Sequence, residues 1–182
     1  MNYHQIRELR LGGGPERIPN LDEVLELANR RVLINIDVKK DVFSRNDIEE
    51  KIIQHLKRHN LQENVIISSF NPRVLKKVSL LYPGLAHGYI FRNKSSMMFL
   101  NGHAVHSLHG RYQILDKKYI QNLANRASTI YAWTVDEVKN MLEQIQMGIH
   151  GIISNRPELF LQLKEKIQSE SVNIQQLVME HR

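Results

Sequence analysis

Apolar and polar residues alternate with a period of two through Arg31 to Lys40, RVLINIDVKK. Val32, Ile34, Ile36 and Val38 share one face, and Leu33, Asn35, Asp37 and Lys39 share the other, as in a β-strand with one apolar side. The second side turns polar towards the end of the run. An ordinary half-exposed strand would show that side to water. In a parallel barrel the apolar face packs outward on helices, and the other face lines a site where the strand ends. The elements that follow bear on this choice.

The same two kinds of pattern recur along the chain. Asn20 with Glu23 makes a capping box before Leu21, Val24, Leu25, Leu27 and Ala28, which sit at helical spacing. Ser44 or Asn46 is a candidate cap for a second helix carrying Ile48, Ile52, Ile53 and Leu56, and Asn60 is its expected stop. Val65 to Phe70 is an apolar run of strand length, and Asn71-Pro72 opens a helix through Val74, Leu75, Val78 and Leu81. Pro83-Gly84 breaks that helix, and Ala86 to Phe91 reads as a strand. The stretch from Arg92 to Gly102 is compatible with a short helix or a turn. Ala104 to Leu108 is the next strand, followed by a helix capped by Asp116, a strand at Thr129 to Thr134, a helix from Val135 to Gln146 and a strand at Gly151 to Asn155. Arg156-Pro157 opens the next helix, through Leu163. About six strands alternating with helices predict an α/β fold with parallel strands, in a barrel or an open doubly wound sheet.

Composition narrows the function. At 182 residues the chain is long enough for one sizeable core but short for a closed eight-stranded α/β barrel, which takes about 250. No apolar run reaches the roughly 20 residues of a transmembrane helix, and the first residues lack the apolar centre of a signal peptide. With no cysteines there are neither disulfides nor thiolate metal sites, which fits a cytoplasmic location. The net charge of +6 comes from dispersed Lys and Arg without a long basic run or interleaved aromatics, so nucleic-acid binding is not expected.

Ligands of parallel α/β folds gather at the carboxyl ends of the strands. The residues expected there are Asp37 and Lys39, Ser69 and Phe70, His106 and His109, Trp133 and Thr134, and Asn155 with Arg156. Asp37 could ligate a hard cation, Lys39 could neutralise a phosphate, and Phe70 and Trp133 could pack on a small polyol. Taken singly, Trp133 also suits a core and Arg156 an ordinary surface. His103, His106 and His109 cannot all converge on a metal from one strand, because positions three apart point to opposite faces. No G-x-G-x-x-G turn follows a strand and no G-x-S-x-G elbow is present. Gly12 to Gly14 lacks a preceding strand and the Lys-Ser/Thr of a phosphate loop, and reads as a flexible connection.

The order of these motifs resembles the glycerophosphodiester phosphodiesterase family. IPNLDEVLELANRRVLINIDVK is similar to that family's I-P-T-L-E-E-V-L-E-L helix and N-I-E-I-K strand, VIISSFNP to its I-S-S-F-D/N-P, YAWTVDE to its V-W-T-V-N, and GIISNRPELF to its G-I-I-T-D-R-P-D-L. The likeness runs from Ile18 to about Leu163. It implies a TIM-type barrel and hydrolysis of glycerophosphodiesters to glycerol phosphate and an alcohol, dependent on a divalent metal such as Ca²⁺ or Mg²⁺. By position, Asp37 stands where the family has a metal-binding Glu, Lys39 where it has the Lys that contacts phosphate, and Phe70 and Trp133 near the glycerol or leaving group. Asn155 replaces the usual Asp before Arg-Pro.

The resemblance also implies what to look for before Asp37: a strand ending in His-Arg-Gly, a Glu-x-Asp strand and a His-Asp pair, which carry most metal ligands and the acid and base. None occurs in this sequence, whose one His-Arg pair is His181-Arg182. The expectation is therefore a partial TIM-type (β/α) barrel matching the last six strands, an N-terminally truncated member that is inactive alone. Its parts would be a linker over residues 1–17, the phosphodiesterase-like domain over 18–166 and a helical or frayed tail over 167–182. Such a sheet exposes two unpaired edges, and the alternative is a non-catalytic phosphate-binding or interaction module that self-associates through them.

Overall fold

The protein is described by a computed structural model covering residues 2–39 and 47–169. Six strands form one sheet in the order of the sequence: β1 (Ile34–Asp37), β2 (Val65–Ser69), β3 (Ala86–Phe91), β4 (Ser107–Arg111), β5 (Thr129–Trp133) and β6 (Gly151–Ile152). Every neighbouring pair is parallel. Helices lie between the strands: α1 (Tyr3–Arg7) and α2 (Leu21–Ala28) precede β1, then come α3 (Ile48–His59), α4 (Pro72–Leu81), α5 (Lys117–Leu123), α6 (Val138–Met147) and α7 (Pro157–Ser169). A 3-10 helix, Lys94–Leu100, takes the place of an α-helix between β3 and β4. The sheet is an α/β half-barrel, curled and open, as expected of a partial TIM-type barrel.

Local chemistry explains the element boundaries. Asn20 and Glu23 form the reciprocal capping box of α2, and Asp116 caps α5 by accepting from the Tyr119 N–H at 2.8 Å. Asn71 caps α4 with Pro72 at its first position, and Asn60 (φ 53°) and Gly148 (φ 86°) end α3 and α6 in the left-handed region, which Gly enters at little cost. Asp22 then ties α2 to α3, accepting from His55 Nδ1 at 2.6 Å and His59 Nε2 at 2.8 Å. These bonds and the Arg58 guanidinium hold its carboxyl below the usual range.

Several boundaries depart from the sequence reading. β1 begins only at Ile34, and Val32 and Leu33 are exposed (58% and 74%) because they precede the first ladder bond of an edge strand. The residue capping α3 is Asp47, without a side-chain cap bond, and the candidates Ser44 and Asn46 lie outside the described residues. β4 starts three residues later than expected, at Ser107, because His103 to His106 pack across the start of β3. There the His106 N–H donates to the His87 carbonyl at 2.9 Å. α6 starts at Val138 because the Val135 N–H is held by the Ile153 carbonyl at 3.0 Å, beside β6. β6 is correspondingly short, since Ser154 and Asn155 turn to Asp136. Gly12 to Gly14 sit in a turn closed by the Arg10–Arg17 bridge.

The apolar side chains pack between the sheet and the helices in two clusters, one around Leu25, Leu56, Ile67 and Val78, the other around Leu108, Ile130, Met141 and Leu142. The opposite face of the sheet is different. Strand register places Asp37, Ser68, Gly88, Ser107 and Thr129 in one row of that face, and Ile90, His109, Tyr131 and Gly151 in the next. A filled barrel interior is usually dominated by branched apolar residues, and this one is largely polar.

Candidate functional site

The ends of β1, β2, β3 and β5 converge on one open cavity of about 1260 Å³. Asp37 ends β1, with Lys39 just beyond it, and their charged groups lie 3.9 Å apart. The Asp37 carboxyl is pushed above its usual range by burial, an effect that the nearby Lys39 ammonium partly offsets. Phe70 follows β2, and Trp133 ends β5. Their rings meet edge to face with centroids 5.6 Å apart. Arg92, directly after β3, lies over the Phe70 ring at 5.0 Å.

Hydrogen bonds hold these ends in place. Ser69 Oγ donates to the Val38 carbonyl at 2.7 Å and accepts from the Asn71 N–H at 3.1 Å, so one hydroxyl joins the end of β1, the end of β2 and the entry to α4. Trp133 Nε1 donates to the His109 carbonyl at 2.9 Å, fixing the indole against β4. Asn93 and Ser96, from the 3-10 segment, and Phe99 complete the far wall.

Of the residues expected at the strand ends, Asp37, Lys39, Ser69, Phe70, Trp133 and Thr134 line the cavity. His106 does not, because it precedes β4 and packs edge to face on His87, with ring centroids 4.7 Å apart. His103 stacks on the same ring at 5.6 Å. His109 lies on the inner face below the cavity, 2% exposed, where its Nε2 shares a hydrogen bond of 2.8 Å with Ser107 Oγ. Burial lowers its pKa to about 4. Gly88 makes room for that pair: a Cβ there would meet Ser107 Oγ and lie 2.7 Å from His109 Nε2. Asn155 and Arg156 are also diverted. Asn155 donates twice to Asp136, at 2.7 and 2.9 Å, and Arg156 pairs with Glu158 at 2.9 Å. Sequence reasoning missed Arg73, Arg92 and Asn93. Arg92 was detectable, since it directly follows a clear strand.

The donors present fall short of what a divalent cation requires. Among the described residues no group of three or more His, Cys, Asp or Glu is placed to hold one. Asp37 offers two oxygens, whereas Ca²⁺ and Mg²⁺ take six or more ligands, so these residues do not amount to a metal site by themselves.

Comparison with known proteins decides the family. The model of the glycerophosphoryl diester phosphodiesterase family matches residues 1–159. This chain belongs to that family. A glycerophosphodiester phosphodiesterase of Caldanaerobacter subterraneus subsp. tengcongensis is 35% identical over 155 residues, which are 83% of this chain and 63% of that protein. The chain thus spans less than two thirds of that relative's length. Among solved structures, a glycerophosphodiester phosphodiesterase from Parabacteroides distasonis shares the fold with a TM-score of 0.73 at 23% identity, over 94% of this chain and 72% of that one. A phosphodiesterase of Oleispira antarctica, in complex with its product sn-glycerol 3-phosphate, aligns with a TM-score of 0.72 at 22% identity, over 84% of this chain and 62% of that one. Among the described residues no helix is long and apolar enough to cross a membrane.

Proposed function

We propose that the cavity is the phosphate- and glycerol-contacting part of a glycerophosphodiester phosphodiesterase site. Lys39 contacts the phosphate, Phe70 and Trp133 pack against the glycerol or the alcohol, and Asp37 would be one ligand of a divalent cation whose remaining ligands the described residues do not supply. The reaction class is hydrolysis of glycerophosphodiesters to glycerol phosphate and an alcohol. The observation that carries the reading is the Asp37–Lys39 pair, 3.9 Å apart at the mouth of a cavity whose other wall holds the Phe70–Trp133 contact. A carboxyl kept partly desolvated beside one ammonium is unfavourable for folding alone, which is characteristic of groups retained for binding. The sn-glycerol 3-phosphate held by the Oleispira protein supports the choice of ligand.

The sequence carries no His-Arg-Gly or Glu-x-Asp motif. The chain by itself is therefore expected to bind without appreciable turnover. The test is release of glycerol phosphate from glycerophosphocholine by the purified protein with Ca²⁺ or Mg²⁺. Release at the background rate is expected, and robust metal-dependent release that survives Asp37→Ala would overturn both the inactivity and the site assignment.

A second reading is favoured by the sheet edges. β1 and β6 each pair on one side only among the described residues, and the segment leading into β1 exposes Leu27 (72%), Val32 and Leu33. In this reading the chain is a non-catalytic module that pairs its open edge with a second copy. Sedimentation separates the two: a concentration-dependent dimer that Leu33→Lys returns to monomer supports it, and a monomer at all concentrations removes it.

A further inference from the structure

The cavity's charges are not those of a site for one phosphate. Its described lining holds Lys39, Arg73 and Arg92, and Asp37 is the one acid among those residues. A phosphodiester carries a single negative charge, fewer than the cations of this lining even with the Asp37 carboxylate added. Arg92 is exposed, has no ion pair among the described residues, and lies over the Phe70 ring. The ends of β1, β2 and β3 are successive in the sheet, so Lys39 and Arg92 follow strands whose backbones lie about two strand spacings, roughly 10 Å, apart. That separation suits two anionic groups of one ligand rather than two cations on one phosphate.

The aromatic pair sharpens the point. An aromatic face at a site mouth commonly receives a cationic head group such as choline. Here the Arg92 guanidinium already lies over the Phe70 ring, 5.0 Å from its centroid, and the Phe70 and Trp133 rings meet edge to face. A quaternary ammonium on that side of the ring would have to displace one cation and sit beside others, whereas a phosphate would find a guanidinium fork already held over the ring.

Building on the proposed function, we infer that this site selects glycerophosphodiesters whose alcohol carries a second phosphate, such as a phosphorylated polyol, and that Arg92 is the residue that selects them. The diester phosphate lies at Lys39 and the second phosphate at Arg92.

Calorimetric titration of the intact chain with three ligands tests this: sn-glycerol 3-phosphate, glycerophosphocholine and glycerophosphoinositol 4-phosphate. The phosphorylated diester is expected to bind at least about tenfold more tightly than the choline ester. That preference should fall to within about threefold in Arg92→Gln, be partly kept in Arg92→Lys, and shrink at 0.5 M salt, where exposed charges are screened. Binding of glycerol 3-phosphate with equal affinities for the two diesters, or with a preference that Arg92→Gln leaves intact, overturns the inference and spares the underlying reading. Absence of binding by all three ligands overturns that reading, and this inference with it.

Discussion

Asp37 and His109 are both held away from their ordinary ionisation by burial, with opposite consequences for stability. The Asp37 pKa is raised in the folded state, so the folded protein binds its proton more tightly than the unfolded chain. Stability from this group is present below its unfolded value near 3.8 and is lost as pH rises through the folded pKa. Asp37→Asn is therefore expected to raise the melting temperature at pH 7 and to leave it unchanged at pH 3. A lower melting temperature at pH 7 would mean that attraction to Lys39 outweighs desolvation. His109 goes the other way. Its folded pKa is depressed from 6.5 to about 4, so its neutral form stabilises the fold above pH 6.5. That contribution, roughly 3 kcal/mol for a shift of this size, drains away as pH falls from 6.5 towards 4. Urea titrations across that range should show the loss in the wild type and a flatter profile in His109→Gln, which keeps a polar partner for Ser107. A profile equally steep in the variant would assign the acid sensitivity to other groups.

At the level of elements, the site depends on how the ends of β1 and β2 are latched. Removing the Ser69 hydroxyl deletes its bonds to the Val38 carbonyl and the Asn71 N–H. Ser69→Ala should cost about 1 to 3 kcal/mol of unfolding free energy, read as a lower urea midpoint at unchanged slope. It should also weaken ligand binding, because Asp37 and Lys39 ride on the freed end. Elements with strong end signals were legible in the sequence: the Asn20–Glu23 box, Asn71-Pro72, Asp116 and Gly148 each mark a boundary found in the structure. β4 was placed three residues early because SLHGR has none of the β-branched residues and no Phe, Tyr or Trp, while Val105 just before it favours a strand. The sequence likewise could not show that Val135 and Asp136 belong to the closure over β6, which is a tertiary arrangement.

For the whole molecule, the rhythm of strands and helices was enough to read a parallel α/β half-barrel, and strand-end logic was enough to place Asp37, Lys39, Phe70 and Trp133 on one rim. The sequence did not reveal that Phe70 and Trp133 touch, since β3 and β4 lie between their strands and the contact spans the curl of the sheet. Arg92 could have been read as a strand-end residue, since it directly follows β3, but it opens a stretch compatible in sequence with either a short helix or a turn, which folds as the 3-10 helix Lys94–Leu100. In the proposed function this rim binds the phosphate of a glycerol phosphate through Lys39. Calorimetric titration of wild type and Lys39→Ala with sn-glycerol 3-phosphate tests it most directly. A saturable one-site isotherm is expected for the wild type, with a loss of about tenfold in affinity, about 1.4 kcal/mol, for the variant. No binding by the wild type, or equal binding by the two proteins, would contradict it.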